Sequence, residues 1–543
     1  MRSLIRKIAL SAVAVTFLAT GVAQANDDTV SDAIIHRAGL QVEWSTHSGA
    51  GAREGIADWH LNVNENKATT HYSISAGKFR EKFSENKLSP FGKPLSQDQS
   101  YGVEDYIDVR KRVLTAELKH LGDVETEIKV DQYSLPESTI YLLTSTGVVS
   151  AIDADTGALK WKDRVGDPLL KSVGVGASND HVAVVNGSTM YCFAAGSGKL
   201  LFSAKCRHAV SAGPTISEER IYVPLVNGRL EVFKIHEGGV NSSSFAAVGE
   251  STSSPLVTEK TISWTTDRGL MNVVAKYGGR SVSYQLRADD AIVGQPVFQS
   301  GVFFVTSLDG FVYALDEDRG SVKWQVSTGA GISQSPAVFD GFVYVVNDNN
   351  EMFKFDAQQG YNAPGWEKPR KGIGMIVGAG QKDIFVIDNT GNLKVLSQGS
   401  GAVLSSVPFG AVDKVLANQQ SDRLYLANRQ GLVQCIREVA SAVPHFHSGE
   451  FGSTAVASTK VSGRAEAGEK PKKDAGEDSE DPFKASEDPF AGNGAAAEEE
   501  DPFGGSNAEP ETPDEDPFGG SDAEPETPEE DPFSSGVDDD PFK

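Results

Sequence analysis

The chain contains an internal repeat about 40 residues long, and this repeat is the strongest constraint on its fold. A β-rich run, a glycine-containing turn and a second β-rich run recur eight times, 39 to 42 residues apart. Self-similarity at a fixed period indicates a repeat architecture, in which each unit buries its apolar face against its neighbours. The leading runs start at Ile140, Val182, Ile221, Ile262, Val302, Val343, Ile384 and Leu424.

Each repeat has the composition of a small antiparallel sheet. Asn-Gly, Asp-Gly or Thr-Gly separates the first two runs, where a tight hairpin requires positive φ. A second glycine turn, such as Arg319-Gly320, leads to a third strand ending in Trp or a substitute, and segments such as residues 334–338 supply a fourth. Four short strands per 40 residues predict a propeller blade, whereas a solenoid of this period would need helical patterning. The sequence therefore predicts an all-β, eight-bladed β-propeller over residues 136–440.

The last repeat lacks its outer strand, because the pattern stops soon after Arg437. Residues 39–44 resemble the strand at residues 157–161, and an unpaired sheet edge is a liability. We therefore predict that the N-terminal segment closes the eighth blade. The rest of residues 26–135 is predicted to form a small α+β insert that caps the propeller, with a hairpin over residues 58–74 and an amphipathic helix over about 100–121.

Residues 1–25 have the pattern of a secretory signal peptide. Arg2, Arg6 and Lys7 precede a mostly apolar run, and Ala23-Gln24-Ala25 is a small-x-small cleavage pattern. The apolar run is short for a membrane span, although a retained anchor stays open as an alternative. We expect an exported protein of the periplasm or cell envelope, or a secreted one, with no transmembrane segment in the mature chain.

The net charge of −25 belongs almost entirely to the C-terminal segment. Residues 466–543 contain 27 acidic and 5 basic side chains, which amounts to −22. This excess of acid argues against nucleic-acid binding, which requires a basic surface. The same residues contain no Ile, Leu, Met, Tyr or Trp, so they cannot bury enough apolar area to offset their ordering entropy. We predict that residues 441–543 form a disordered acidic tail.

All six phenylalanines of residues 466–543 stand in Asp-Pro-Phe motifs. Each ring could enter an apolar pocket while the flanking carboxylates meet a basic rim, and linked copies raise the effective concentration. A solubilising spacer and weak divalent-cation binding are the alternatives. The candidate partner-binding residues are Phe483, Phe490, Phe503, Phe518, Phe533 and Phe542.

Cysteine and histidine patterns provide no metal or redox motif. The three cysteines are an odd number and include no Cys-x-x-Cys, so we expect buried free thiols, with a Cys192–Cys206 disulfide as the alternative. His445 and His447 follow the propeller and are interpreted as exposed side chains without a third ligand. We predict no catalytic residues, no cofactor-binding residues and no metal site.

Two turn sequences carry a resemblance to a known family. Residues 151–161 fit the pattern A-x-D-x-x-T-G-x-x-x-W of pyrroloquinoline-quinone (PQQ) type propellers, and residues 314–324 fit it with Arg319 in the Thr position. Carboxylate and hydroxyl groups should bond the turn, Gly should take positive φ, and Trp should pack between blades. The predicted blade-docking residues are Ala151, Asp153, Thr156, Gly157, Trp161, Ala314, Asp316, Gly320 and Trp324.

Over residues 139–440 the chain is similar to the PQQ-like propeller family, and especially to its non-enzymatic branch, the scaffold propellers of the β-barrel assembly machinery. This resemblance implies a monomeric scaffold that binds protein partners through loops on one face. The alternative is a quinoprotein-type dehydrogenase or a small-ligand sensor that uses the axial channel. The vicinal cysteine pair of the quinoprotein dehydrogenases is absent from the sequence, and so is a lipid-attachment cysteine near residue 25.

Overall fold

The computed structural model describes residues 30, 32–49, 54–77, 79–121, 126–277, 282–408, 412, 414–447 and 459–460. Within these residues the strands form eight antiparallel sheets, each with the four strands of a propeller blade. The prediction of an all-β, eight-bladed propeller with a small α+β insert is confirmed. Among the described helices, none is both long and apolar enough to cross a membrane.

Blades 2 to 7 each take four consecutive strands. Blade 2 contains β7–β10 (Ser172–Ala177, His181–Asn186, Thr189–Ala194, Leu200–Lys205) and blade 3 contains β11–β14 (Thr215–Ser217, Arg220–Pro224, Leu230–Lys234, Ser242–Phe245). Blade 4 contains β15–β18 (Leu256–Val257, Thr261–Thr265, Leu270–Ala275, Tyr284–Arg287) and blade 5 contains β19–β22 (Val297–Gln299, Val302–Thr306, Phe311–Asp316, Val322–Ser327). Blade 6 contains β23–β26 (Ala337–Phe339, Phe342–Val346, Glu351–Asp356, Arg370–Lys371) and blade 7 contains β27–β30 (Ile373–Ala379, Asp383–Asp388, Asn392–Ser397, Val403–Pro408).

Blades 8 and 1 take strands from the N-terminal segment. Blade 8 contains β31–β33 (Lys414–Leu416, Leu424–Ala427, Leu432–Glu438), and its outer strand is β1 (Leu40–His47), which pairs antiparallel with β33. Blade 1 contains β4–β6 (Lys129–Thr144, Val148–Asp153, Leu159–Arg164), and its inner strand is the first part of β2 (Ile56–Ala76). The short helix α1 (Asp32–His36) precedes β1.

The hairpin expected over residues 58–74 is not formed. Residues 56–76 form the single strand β2, and both of its halves pair with the same partner, β4. No glycine lies between Ile56 and Ala76 to take the positive φ of a tight turn. The polar run of residues 64–67 instead forms an irregularity in the pairing between Asn64 and Ala68.

The second halves of β2 and β4 leave the blade and build the insert. They pair with each other and with β3 (Phe79–Ser84), and helix α2 (Val103–His120) packs on the sheet through Leu114 against Ile74 and Phe83. The short strand β34 (Thr459–Lys460) pairs with the other edge of β4. Because β2 and β4 are continuous, the insert extends directly from blade 1.

The antiparallel order of the strands defines two faces of the ring. Hairpins between the second and third strands lie on the same face as the connections from one blade to the next, and we call this the link face. The opposite face carries the insert, which connects the first and second strands of blade 1, and we call it the insert face. The apolar core lies between neighbouring blades, as in the cluster of Leu143, Val184 and Phe193.

Candidate protein-interaction surface

The predicted docking residues of blade 1 lie in one hydrogen-bonded turn and in the two strands that flank it. The Asp153 carboxylate accepts hydrogen bonds from the Thr156 backbone N–H at 2.9 Å and from the Thr156 hydroxyl at 2.8 Å. Gly157 has a φ of +71°, and Ala151 is fully buried opposite Trp161. The Trp161 indole donates its Nε1–H to the Ala195 carbonyl of blade 2 at 2.7 Å.

Blade 5 repeats this arrangement with the departure noted in its sequence. The Asp316 carboxylate accepts the Arg319 backbone N–H at 2.9 Å, so the backbone bond survives where the Thr hydroxyl is missing. Gly320 has a φ of +66°, and Ala314 is fully buried opposite Trp324. Trp324 donates its Nε1–H to the Ala357 carbonyl of blade 6 at 3.0 Å.

Each docking ring lies over the turn glycine of the following blade. A Cβ added to Gly157 would lie 2.6 Å from Trp44, and one added to Gly198 would lie 2.5 Å from Trp161. The glycine therefore serves two purposes, because it takes the positive φ and leaves room for the ring. Sequence reasoning missed Tyr284, which packs on the blade 5 turn and donates its hydroxyl to the Glu317 carbonyl at 2.7 Å.

The link face carries an exposed leucine pair that the sequence analysis did not identify. Leu169 is 91% exposed and Leu170 is 49% exposed, in the connection between blades 1 and 2. Val226, Val248 and Val293 are further exposed apolar side chains in hairpins or connections of this face. A signal was present, because Leu169-Leu170 interrupts connections that elsewhere consist mainly of small and polar residues.

The connection that carries this pair is held by hydrogen bonds at both ends. The Asp167 carboxylate accepts the Leu169 N–H at 2.9 Å, and the Asp167 N–H donates to the side-chain oxygen of Asn186 at 3.0 Å. The Asn186 amide donates to the Leu170 carbonyl at 3.1 Å, and the Gly187 N–H donates to the Lys171 carbonyl at 2.8 Å. Leu169 is therefore presented to solvent by a fixed backbone.

An axial cavity of about 860 Å³ lies among the inner strands of blades 4 to 8. Its lining includes the amide side chains of Gln295, Gln334 and Gln419 and the apolar side chains of Phe339 and Met375. The amide of Gln295 donates to the Ser254 carbonyl at 3.1 Å, and that of Gln419 donates to the Pro336 carbonyl at 3.1 Å. These amides thus join the segments next to the inner strands of different blades.

The lining of this cavity does not fit a calcium–PQQ site. Calcium takes six to eight oxygen ligands, with carboxylates prominent among them. Among the described residues that line the cavity, Asp388 is the one with an ionisable side chain. Its carboxylate already accepts hydrogen bonds from Thr390 and Asn392 and lies 3.2 Å from the Lys394 ammonium, and these interactions outweigh burial and lower its pKa.

The cysteine and histidine side chains are likewise parts of the structure rather than of a reactive site. Cys192, Cys206 and Cys435 are free and buried, and burial raises the pKa of the Cys192 and Cys206 thiols to about 12. His447 is half-buried rather than exposed as expected, because it packs on Phe339 and lies 2.9 Å from the Ala379 carbonyl. No group of three or more His, Cys, Asp or Glu side chains within the described residues could hold a metal ion.

The Glu438 carboxyl, at the end of β33 on the insert face, is a half-buried acid. Its Oε1 atom is buried and accepts no hydrogen bond from the described part of the chain. Burial, with repulsion from Asp383 and Asp422, raises the pKa of Glu438 to about 7.

The six Phe residues proposed as partner-binding groups, Phe483, Phe490, Phe503, Phe518, Phe533 and Phe542, lie outside the described residues.

Eight antiparallel blades, several of them joined by aromatic rings that dock over turn glycines, define a PQQ-like β-propeller. The family described as outer membrane protein assembly factor BamB matches residues 145–289 and 267–443, which together exceed half of the 543 residues. The chain belongs to this family. Residues before 145 and after 443 lie outside the matched range.

Curated relatives are similar at low identity. BamB of Yersinia pestis is 22% identical over 286 residues, which cover 50% of this chain and 64% of the relative. BamB of Moranella endobia is 22% identical over 254 residues, which cover 42% of this chain and 65% of the relative. The chain thus spans slightly less than two thirds of the length of these relatives.

Two solved structures match about half of the chain. The crystal structure of BamB from Moraxella catarrhalis has a TM-score of 0.46 and 16% identity, over 55% of this chain and 93% of that one. The computationally designed protein Ika8 has a TM-score of 0.46 and 14% identity, over 55% of this chain and 92% of that one.

Trp324 tests the docking interaction. Trp324→Phe keeps a ring but loses the hydrogen bond to Ala357, and should destabilise the protein by about 1 kcal/mol. Trp324→Ala also leaves a cavity between blades and should cost about 3–5 kcal/mol. Urea unfolding followed by fluorescence measures both, with exposed Gln325→Ala as the control. Equal midpoints for Trp324→Ala and Gln325→Ala would contradict the docking role.

The raised pKa of Glu438 predicts that the stability of the protein depends on pH. Its pKa in the folded protein is about 7, above the 4.5 of a free glutamate, so the folded state binds more protons between these values and loses stability as pH rises through them. Glu438→Gln should therefore be more stable than wild type at pH 8 and nearly equal to it at pH 4. Thermal unfolding at both pH values measures the difference. Exposed Glu259→Gln should show no such pattern.

Proposed function

We propose that the chain is an exported, non-enzymatic scaffold of the cell envelope that binds a partner protein through its link face. The exposed, fixed leucine pair Leu169-Leu170 carries this proposal. Membership of a family named for outer membrane protein assembly supports a role among envelope proteins. The signal-peptide pattern of residues 1–25 supports export.

A rigid apolar loop is suited to protein recognition. Burying Leu169 in a partner's pocket would remove a nearly fully exposed apolar side chain from water, worth about 1.5–3 kcal/mol. Because Asp167 and Asn186 already hold the backbone, little conformational entropy remains to be lost on binding. The partner would present an apolar groove that accepts the leucine pair.

Among the described residues of the link face, the axial cavity gives catalysis weaker support than the leucine pair gives protein binding. Its axial cavity contains amide and apolar side chains, and its carboxylate at Asp388 is engaged by three neighbours in the blade 7 turn. A general acid or base needs a titratable group within reach of substrate. Protein binding by the exposed loop therefore has the better physical basis.

Replacement of the leucine pair tests the link face. Leu169→Ser with Leu170→Ser should lower partner capture at least tenfold in cross-linking from envelope extract, because the apolar contact is lost. The matched control is Leu200→Ser with Leu201→Ser, an adjacent pair on the outer strand of blade 2 that is 45% and 44% exposed. The control should capture the same partner as wild type. Equal capture by both double variants would overturn the assignment of the face.

We also propose that the C-terminal segment is a multivalent ligand, in which each Asp-Pro-Phe ring enters a small apolar pocket with a basic rim. Three of the motifs, at Phe503, Phe518 and Phe533, recur every 15 residues within similar acidic spacers. Repetition at a fixed spacing raises the effective concentration of each ring for a second site. A spacer would need the acidic residues but not the rings.

The six rings distinguish a ligand from a spacer. Replacing Phe483, Phe490, Phe503, Phe518, Phe533 and Phe542 with Ala in the full-length chain should abolish capture of the partners that depend on this segment. Replacing them with Leu keeps apolar volume and should retain part of the binding. Capture is measured from envelope extract by quantitative mass spectrometry at low and high salt. Identical partner lists for wild type and the Ala variant would leave only the spacer.

A further inference from the structure

The ring closes where β1 pairs with β33 to complete blade 8 and contacts blade 1. We call this place, where distant parts of the chain meet, the seam. β1 pairs with β33 in a register that places Trp44 opposite Cys435 and Leu40 opposite Glu438. The Trp44 indole donates to the Ala154 carbonyl in blade 1 at 3.1 Å. β1 thus holds blade 8 to blade 1, and it reaches β33 from the N-terminal part of the chain rather than through a short turn.

A buried group of charges joins this seam to the insert. The Lys82 ammonium of β3 lies 2.7 Å from the Glu43 carboxylate of β1 and 3.7 Å from the Asp155 carboxylate in the blade 1 turn. Arg437 of β33 pairs with the other oxygen of Glu43. His71 of β2 places its Nδ1 atom 3.0 Å from Asp155. The insert, the closing strand and two blades therefore share one ion-pair network.

The network excludes water. The Lys82 side chain is 7% exposed and that of Glu43 is 5% exposed, and Arg437 and Asp155 are similarly buried. Burial raises the pKa of Glu43, but Lys82 and Arg437 outweigh it and hold that pKa below its usual value. Removal of one charge would leave its partners desolvated and unpaired, which is strongly unfavourable.

Lys82 is the cation that the insert contributes to this ion-pair network. Besides its two carboxylate partners it donates to the Ala442 carbonyl at 2.9 Å, in the segment that follows blade 8. It also lies over the Tyr133 ring, 5.7 Å from the centroid. One insert side chain therefore contacts β1, blade 1, β4 and the chain beyond β33.

We propose that the insert is a clasp on the ring: Lys82 locks β1 into blade 8, and loss of its contacts lets the seam open while the other blades stay folded. Opening would expose the edge of β33 to pairing with another strand. A contact that displaces the insert would thereby be transmitted to the closing blade. This inference is independent of the proposed function of the link face.

The chain contains a matched pair of thiols that can report this opening. Cys435 lies opposite Trp44 next to a register shift between β33 and β1, and Cys192 lies opposite Phe202 next to an equivalent shift between β9 and β10. Both are buried, Cys435 at the seam and Cys192 between blades 2 and 3. Local opening of the seam exposes Cys435 alone, whereas global unfolding exposes both.

Site-resolved thiol labelling in the full-length chain tests the clasp. In Lys82→Met, the labelling rate of Cys435 relative to Cys192 should rise at least tenfold, as measured by maleimide reaction and mass spectrometry. Lys260→Met is the control, because Lys260 forms an exposed ion pair with Asp318. Val184→Ala, in the blade 1–blade 2 core, controls for loss of stability and should leave the ratio unchanged. An unchanged ratio in folded Lys82→Met would overturn the proposal.

Wild-type protein provides the second measurement, which does not depend on folding of a variant. Below the urea concentration of global unfolding, Cys435 should become reactive before Cys192 and with a weaker dependence on urea, because seam opening exposes less surface than unfolding. If the two thiols become reactive together with the same dependence on urea, the seam does not open independently and the clasp is refuted.

Discussion

The docking of an outer-strand aromatic ring over the turn glycine of the next blade is the interaction on which the rest of this structure depends. A single blade has one apolar face on each side and cannot bury either alone. Trp44, Trp161 and Trp324 each cross to the following blade and donate a hydrogen bond to a carbonyl there. The ring thereby supplies apolar area and a directional bond at the same contact. That combination sets the positions of blades 8, 1 and 5 relative to the blades that follow them.

The sequence predicted the features that depend on local chemistry. Glycine at a positive-φ turn, alternating β-branched residues and the period of 40 are all encoded within one repeat, so the eight blades followed from them. The prediction of a hairpin over residues 58–74 was wrong because β2 pairs with β4, which lies more than 50 residues away in the chain. The Lys82 network was missed for the same reason, because its burial depends on distant segments that no local pattern specifies.

Part of this chain matches the family, and the rest lies outside the matched range. Residues 145–443 match the BamB family, whereas β1, the insert and the acidic segment lie outside that range. The closing strand is nevertheless part of the ring, because β33 would otherwise have a free edge. The segments outside the matched range are therefore attached to the matched propeller through the contacts among Glu43, Lys82 and Asp155.

The pairing of β1 with β33 has a consequence for the order of synthesis. Glu43 and Arg437, which meet in the finished ring, are 394 residues apart in the chain. At about 5–20 residues per second, the N-terminal strand is made roughly 20 to 80 s before its partner exists. During that interval the apolar segment around Leu40 and Trp44 has no sheet to join. Formation of the ring therefore requires a long-range loop closure, which is intrinsically slow.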